Sequence, residues 1–470
     1  MSVLSLAGSA SIAALLILFA PRAALAQPSE PSPPDPPLFE EERKEIAEQR
    51  RALEGAQQRI ADLEKKVDGS LATSDDSDWT SRFKIYGFTD VGVNRIWIDR
   101  ASQVGIYLNS SNATSFVVGN LDLYFDAQPV KNWRSLVEIR FTSAPHGEVA
   151  SLGGVGGKFK RTTTQQLDPN GASANATMWG GYTVIERAHL DWTALEYLKV
   201  RAGSFFTPFG IWNVDHGTPT LIALQLPGVI QLRQMPLRQT GIQLYGNTFK
   251  GDWELGYVAT ISNGRQELSN FAFDDNRGFG ARVYANDEKG ESTVKLGASF
   301  YTGRVRDEEI DVTSLSPFTI DRKNSFDYRE VVGGLDASVD IGRTRIRAEG
   351  AVSSITYAPG KREVAQTASP VTQYKPDSVQ TSAYLLVAHT LPFAPIELYA
   401  TTDLLYGPAI PLADTVIAPS LGLNVRFTKA TMLKTQINET FFIDSRGGLS
   451  AHDTAKNNAT MLFSRLVLVF

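Results

Sequence analysis

Charged side chains recur at every second position in many segments of this chain, and they are the residues best suited to chemistry. In 134–140, for example, Arg134, Glu138 and Arg140 share one side and apolar residues take the other. Charges that line a water-filled space select solutes by their field and by hydrogen bonding. The two signs are nearly balanced, so ion pairs between neighbouring segments are an equally direct interpretation. The basic residues predicted to line such a space are Arg134, Arg140, Arg187, Arg201, Arg282, Arg345, Arg347, Arg426 and Lys434.

One histidine and one acid, His189 and Asp191, lie on the same side of a segment and raise the question of catalysis. Hydrolases can use pairs of this kind at the rim of a barrel. A plain hydrogen bond explains the pair with fewer assumptions, and the sequence has no G-x-S-x-G, H-E-x-x-H or P-loop motif. We therefore expect no enzymatic activity, no cofactor and no metal site.

The composition narrows the class of protein further. The chain has 470 residues, of which 42% are apolar and 10% aromatic, and it contains no cysteine. The lack of cysteine excludes disulfides, thiolate metal sites, cysteine nucleophiles and a lipidated N-terminal cysteine. Lysine and arginine number 46 against 51 acidic residues, a net charge of −5. A nucleic-acid partner is not expected, because it would require a basic excess.

The first 81 residues differ in composition and in sequence pattern from the rest of the chain. Residues 1–26 hold a short apolar run and then Ala-Leu-Ala, which predicts a secretory signal peptide, with an uncleaved anchor as the alternative. A Pro-rich linker follows at 27–38. A second linker, rich in Asp and Ser, occupies 68–81.

Between the two linkers, residues 39–67 carry a heptad pattern. Ile46, Leu53, Ile60 and Val67 recur at intervals of seven, which predicts an α-helical coiled coil that joins subunits. Isoleucine at these positions is compatible with a homotrimer. The alternative is a lone amphipathic helix that lies on the surface of the barrel predicted below for 82–470, or on the cell envelope.

From residue 82 to the end, hydrophobicity alternates with a period of two. Sixteen candidate strands, most of them 11–14 residues long, are joined by links that are short and long in turn, and residues 304–327 are predicted to form one of the long ones. Transmembrane barrels have tight periplasmic turns and long external loops, and their strands are longer than those of ordinary globular proteins. We therefore predict an all-β fold for 82–470, a 16-stranded antiparallel transmembrane β-barrel preceded by the coiled coil. A barrel of this size encloses water rather than a packed core.

The end of the chain supports the same fold. Leu462, Ser464, Leu466 and Leu468 alternate up to a carboxy-terminal Phe470. This ending resembles the targeting signal that the barrel-assembly machinery reads in bacterial outer-membrane proteins. We therefore expect the cell outer membrane and its lipid as the surroundings, with the coiled coil in the periplasm.

Three stretches resemble the phosphate-selective porin O/P type family, including DcaP-like trimeric porins with an N-terminal coiled coil. They are VRAGSFFTPFG at 200–210, PLRQTGIQL at 236–244 leading into YVATISNG at 257–264, and GLNVRFT at 422–428 followed by MLK at 432–434. The resemblance covers about 82–470. It implies a trimeric channel of sixteen strands in which one long loop folds inward and narrows the pore.

The long loop at 207–237, called the third loop below, fits that inward role by composition, because it is too apolar for a freely solvated loop. Its candidate constriction residues, with the first residue after it, are Trp212, Asp215, His216, Arg233 and Arg238. A latch between neighbouring barrels explains the apolar residues equally well.

The function expected from these features is passive diffusion of small hydrophilic solutes, with a lean towards small anions such as phosphate or dicarboxylates. A lysine cluster, on which the phosphate-specific members depend, is not identifiable. A sugar-selective or general porin is the alternative, with Tyr284, Tyr301, Tyr384 and Tyr399 as an inward aromatic file. A further alternative is an anchor that grips the envelope, with peptidoglycan as a candidate partner of the N-terminal region.

Overall fold

The computed structural model describes twelve stretches of the chain, all of them beyond residue 81. These are residues 82–99, 112, 114–143, 181–214, 217–231, 234–265, 276–315, 318–362, 364–365, 373–410, 413–443 and 458–470. The predicted signal peptide, both linkers and the coiled coil with Ile46, Leu53, Ile60 and Val67 lie outside them. Within these stretches, no helix has the length and hydropathy needed to cross a membrane.

Sixteen strands close into one antiparallel barrel, as the sequence predicted. Each strand pairs with its neighbours in chain order, and the last strand returns to pair with the first. The barrel strands are β1 (Phe83–Ile98), β2 (Thr114–Val130), β3 (Trp133–Ser143), β4 (Gly181–Trp192), β5 (Lys199–Phe206), β6 (Arg238–Lys250), β7 (Trp253–Ser262), β8 (Gly278–Lys289), β9 (Ser292–Leu315), β10 (Phe318–Ile341), β11 (Thr344–Tyr357), β14 (Ser378–Thr390), β15 (Ile396–Ile410), β16 (Ala413–Arg426), β17 (Thr431–Ile443) and β18 (Asn458–Val469). Between β11 and β14, β12 (Val364–Ala365) and β13 (Gln373–Tyr374) form a separate two-stranded sheet. The helix α1 (Gly228–Gln231) lies in the third loop.

The barrel turns apolar side chains outward and polar ones inward. Along β7, Thr260 and Ser262 are buried on the inner face, while Leu255, Tyr257 and Ile261 are exposed on the outer face. The same alternation places large exposed aliphatic and aromatic residues around the outside and nearly all the buried charges inside. A soluble protein has the opposite order, because its core is apolar.

Large aromatic side chains also mark the end of the barrel where the short turns lie. They stand at or next to the turns and are exposed. Belts of aromatic residues of this kind sit at membrane–water boundaries. The residues are Trp133, Tyr197, Phe249, Trp253, Phe393 and Phe427.

Three turns of this end have a glycine at positive φ, one of them Gly342 (φ +53°) between β10 and β11. Gly251 (φ +62°) and Gly290 (φ +59°) are in the left-handed region of backbone space, where a Cβ is disfavoured. They let β6 turn into β7 and β8 into β9 with two residues each.

One predicted long loop is mostly strand. The sequence interpretation placed a loop at 304–327, whereas β9 and β10 continue their pairing to Phe318 and Leu315. This part of the prediction was wrong because charged residues crowd the segment and hide the period of two. A strand that extends beyond an apolar surrounding can be polar on both faces and still satisfy its backbone in the ladder.

The barrel closes between its first and last strands. β1 and β18 pair from Phe88↔Val469 to Ile98↔Ala459. Beyond β18, the Phe470 N–H donates to the Gly87 carbonyl (3.0 Å), and the Gly87 N–H donates to the Phe470 carbonyl (2.9 Å). The pairing between the two ends of the barrel domain therefore extends from β18 to Phe470.

Candidate functional site

The third loop lies inside the barrel, against the inner wall. Trp212, Ile222 and Val229 of the loop are buried together with Tyr384 and Leu386 of β14. The rings of Trp212 and Tyr384 meet edge to face, 6.3 Å apart with an angle of 82° between their planes. The inner wall is thus apolar where the loop rests on it, and each large apolar side chain buried there contributes about 1.5–3 kcal/mol.

A second apolar contact holds the beginning and the end of the loop. Phe209 and Met235 pack with Tyr301 of β9 and Val332 of β10. The ring centroids of Phe209 and Tyr301 are 6.4 Å apart. The loop is therefore fixed to the wall at both ends, within three residues of the end of β5 and of the start of β6.

Carboxylates of the wall accept hydrogen bonds from the loop backbone. Glu349 Oε1 accepts the Trp212 N–H (2.9 Å) and the Tyr384 hydroxyl (2.7 Å). Asp403 Oδ1 accepts the Gly228 N–H at the start of α1 (3.2 Å). Buried backbone donors need such partners, because an unpaired one costs about 1–3 kcal/mol.

An amide of β17 serves the middle of the loop in the same way. Gln436 Oε1 accepts the N–H groups of Leu224 (2.7 Å) and Gln225 (3.1 Å). The Tyr399 hydroxyl donates to the same oxygen (3.1 Å). One buried side chain thus fixes two consecutive loop residues.

Donors of the wall complete the attachment by reaching loop carbonyls. Lys434 Nζ donates to the carbonyl of Thr218 (2.9 Å) and also to that of Leu221. Asn424 Nδ2 donates to the carbonyl of Ile222 (3.0 Å). The side chains of the wall thus hold the loop largely through the main-chain N–H and C=O groups of the loop.

Arg265, in the segment after β7, holds the far end of the loop. Its Nη2 donates to the Gln234 carbonyl (2.9 Å), and its guanidinium pairs with Glu330 (2.7 Å). Burial lowers the pKa of Arg265, but the charge and hydrogen bond of Glu330 outweigh it and hold that pKa above its ordinary value. The guanidinium is therefore charged at any physiological pH.

Glycine is required where the loop touches the wall most closely. A Cβ on Gly210 would lie 1.9 Å from Glu349 Oε2, and the φ of Gly210 is +68°. A Cβ on Gly228 would lie 2.2 Å from Leu405 Cδ2. Neither position accommodates another residue unless the loop moves away.

Ion pairs line the rest of the inner wall, and they have a consistent order. In Arg140–Asp122, Arg187–Glu138 and Arg201–Asp191, the acidic side chain is 0–3% exposed and the arginine side chain 16–24%. The acids thus lie at the back, against the wall, and the arginines in front. The order is the same in Arg134–Asp126, Arg265–Glu330, Arg282–Asp336, Arg304–Asp327 and Arg345–Glu397, and it is reversed in Arg347–Asp340 and Arg362–Asp377.

The arginines of these ion pairs and the third loop lie on facing sides of the barrel. Arg140, Arg187 and Arg201 stand on β3, β4 and β5. In the closed order of sixteen strands, those positions lie opposite β11, β14 and β15, on which the third loop rests. The arginines and the part of the wall that carries the third loop therefore lie on opposite sides of the barrel interior.

The predicted site residues are placed in several ways. Arg426 is exposed at the end of β16. Lys434 lies on the inner face but is 1% exposed, since the loop covers it. Trp212 is turned towards the wall, and Arg238 donates to the Ile185 carbonyl (3.2 Å). Asp215, His216 and Arg233 lie outside the described residues.

The histidine–acid pair His189–Asp191 belongs to the same series of inner-wall ion pairs. His189 Nδ1 lies 3.0 Å from Asp191 Oδ1. Both oxygens of Asp191 also accept from Arg201, at 2.7 and 2.9 Å. Throughout the described stretches, no three His, Asp or Glu side chains come together as metal ligands would.

The attachment role of Gln436 and Asn424 was missed in the sequence. Both are uncharged and inward on their strands, and a search for charges passes over them. The usable signal was the third loop itself, whose long apolar stretch has few side chains that could satisfy its own backbone. Such a loop requires inward amides or carboxylates on the wall.

Comparison with solved structures finds outer-membrane barrels of low similarity. The anion-selective porin from Comamonas acidovorans is 13% identical, with 83% of this chain and 99% of that chain covered and a TM-score of 0.49. The outer membrane channel DcaP of Acinetobacter baumannii is 10% identical (83% and 97% covered, TM-score 0.46), and OmpF of Salmonella typhi, solved with daunomycin, is 9% identical (83% and 97%, TM-score 0.48). No protein-family model and no curated protein matches the chain. Identities this low leave the solutes of this barrel open.

Proposed function

We propose that the protein is an outer-membrane porin that passes small hydrophilic solutes by diffusion and prefers small anions such as phosphate or dicarboxylates. The observation that carries the preference is the order of the ion pairs, with acids at the back and arginines in front. Although each of these pairs contains one positive and one negative charge, the arginine is the more exposed partner. The solute therefore meets mainly guanidinium N–H groups.

Three features support a channel that crosses a membrane. The ladder is closed, so no strand edge exposes backbone groups to hydrocarbon. The outer face is apolar and carries an aromatic belt at the short-turn end. The inner face is polar and charged, as a water-filled passage requires.

The sugar-porin alternative receives less support from the aromatic residues. Of the four tyrosines considered for a sugar path, Tyr301, Tyr384 and Tyr399 are buried at the wall. Tyr284 on β8 is the one that is half-exposed. A continuous aromatic file along the passage therefore has no support in these residues.

We further propose that three copies associate and that the predicted coiled coil at 39–67 contributes to the trimer. β1 begins at the short-turn end of the barrel, where β18 ends. An N-terminal coil would then stand on the periplasmic side, where contact with peptidoglycan is open to it. The signal peptide at 1–26 and recognition of Phe470 by the barrel-assembly machinery belong to the same proposal.

The test is the reversal potential of purified protein in a planar bilayer under a salt gradient. We expect three-step closures and a preference for chloride over potassium. Arg201→Gln should lower the anion-to-cation permeability ratio about twofold. A unit charge about 8 Å away in water contributes roughly 0.5 kcal/mol, and salt with a Debye length of about 8 Å reduces this to roughly 0.2 kcal/mol, with opposite signs for the anion and the cation. Arg95→Gln is the matched control, since Arg95 is exposed on the outer face, over Trp97. Absence of current in folded protein, or a cation preference, would contradict the proposal.

A further inference from the structure

We infer that the passage favours organic anions with an apolar body, such as aromatic carboxylates, over compact anions of the same charge. The guanidinium groups of the inner-wall ion pairs would hold the carboxylate, and the exposed apolar side chains Val214 and Leu226 of the third loop would receive the body. This inference rests on the proposed porin function and specifies its solute class.

The described part of the third loop is uncharged and exposes apolar side chains at two positions. Its described residues, 207–214, 217–231 and 234–237, include no Asp, Glu, Lys, Arg or His. Two of its apolar side chains are exposed, Val214 (47%) and Leu226 (39%). An apolar group of a solute that covers these side chains removes apolar surface from water, which is favourable.

The attachment of the loop explains why Leu226 is exposed. On one side of it, the Gln225 N–H donates to Gln436 of the wall; on the other, the Gly228 N–H donates to Asp403. With both flanks fixed to the wall, the exposed side chain between them is directed away from it.

Val214 is placed in a similar way. Its neighbours Trp212 and Asn213 are buried. Asn213 Nδ2 donates to the carbonyls of Thr207 (2.6 Å) and Leu237 (3.0 Å), which ties the two ends of the loop together. The side chain of Val214 is thus left on the open side.

The opposite wall combines charge with aromatic surface. The guanidinium of Arg187 lies over the rings of Tyr124 (5.6 Å) and Phe206 (5.1 Å), and that of Arg201 over Tyr245 (5.4 Å). A carboxylate on these arginines would place its attached group between aromatic rings and the loop face. A compact anion would use the arginines alone.

The experiment measures bi-ionic reversal potentials of the full-length protein in planar bilayers, with potassium benzoate, acetate and phosphate as probes. Benzoate diffuses more slowly than acetate in water, so an unselective pore gives a benzoate-to-acetate permeability ratio below one. We expect a ratio of about five, since benzoate can bury several tens of Å² more apolar surface than acetate.

Paired substitutions locate the effect. Val214→Thr and Leu226→Asn, which keep size and remove apolar character, should together return the ratio to below one and leave chloride-to-potassium selectivity unchanged. Thr220→Val should act in the opposite direction, because Thr220 is exposed on the same loop.

Two results would overturn the inference and leave the porin proposal standing. One is a benzoate-to-acetate ratio below one in a pore that conducts chloride and phosphate. The other is a high ratio that the Val214 and Leu226 substitutions do not change. A protein that is folded and passes no ions would overturn both.

Discussion

The ammonium of Lys434, on β17, donates a 2.9 Å hydrogen bond to the carbonyl of Thr218 in the third loop, 216 residues away in the chain. The same ammonium bonds the Leu221 carbonyl, and the loop shields the lysine almost completely from water. A buried charge is tolerated only when it is hydrogen-bonded. The lysine and the loop therefore stabilise each other.

Lys434→Met should loosen the third loop. Loss of the hydrogen bonds from a charged donor costs about 2 kcal/mol of docking energy. We expect larger current fluctuations and a higher mean conductance in single-channel recordings. Lys295→Met, an equal loss of charge at an exposed position on the inner face of β9, is the control. Equal effects of the two variants would show that charge, not attachment, matters.

Gly210→Ala tests the close contact between the loop and Glu349. The new Cβ would lie 1.9 Å from Glu349 Oε2, so the carboxylate or the loop must shift. We expect a loss of about 1–3 kcal/mol from overpacking, added to the penalty of a positive φ, and a changed single-channel conductance. The readouts are the urea midpoint of unfolding and the conductance.

Gly360→Ala provides the control for that variant. Gly360 has a φ of +69° against +68° for Gly210, but a Cβ there would meet nothing within 4 Å. It therefore carries the same backbone strain without the contact. If the two variants lose equal stability and conduct alike, the contact with Glu349 has no role in holding the loop.

The barrel was predictable because successive side chains of a β-strand point to opposite faces, so that a strand between lipid and water shows a hydrophobic pattern with a period of two. Outward residues of β7 such as Tyr257 and Ile261 alternate with inward Thr260 and Ser262, and the sequence displays this directly. The prediction failed at 304–327, where charged residues such as Arg304, Arg306 and Asp307 crowd the paired strands β9 and β10 and obscure the alternation. Periodicity reports the surroundings of a strand rather than the strand itself.

The lumen was predictable in its residue types but not in its order of charges. Arg201 and Asp191 were both expected to line the lumen, and they form an ion pair in which Asp191 is the more buried side chain. Which of the two stands in front depends on side-chain length and on the cross-strand register Asp191↔Arg201, and neither appears in a list of charges. The burial of Lys434 depends on a loop that returns from 213 residues or more away, which no local pattern reveals.

Neutralising an acid at the back should have less effect than neutralising its arginine in front. We expect Asp191→Asn to raise the anion-to-cation permeability ratio, because it removes a negative charge and leaves the exposed guanidinium. The rise should be smaller than the roughly twofold fall expected for Arg201→Gln, since Coulomb energy falls with distance from the solute. Reversal potentials in one salt gradient compare the two. Changes of equal size would contradict the front-and-back order.

The carboxy-terminal residue allows closure of the barrel to be separated from targeting. Phe470→Ala removes the ring but keeps the two backbone hydrogen bonds with Gly87. Deletion of Phe470 removes both, at about 1 kcal/mol each. Folding of purified protein into detergent micelles, followed by heat-modifiable gel mobility, should therefore be normal for Phe470→Ala and impaired for the deletion. In cells, both variants should reach the outer membrane in reduced amounts, because the predicted signal includes the ring. Normal amounts of Phe470→Ala in the membrane would show that the ring is not read and that the residue serves closure alone.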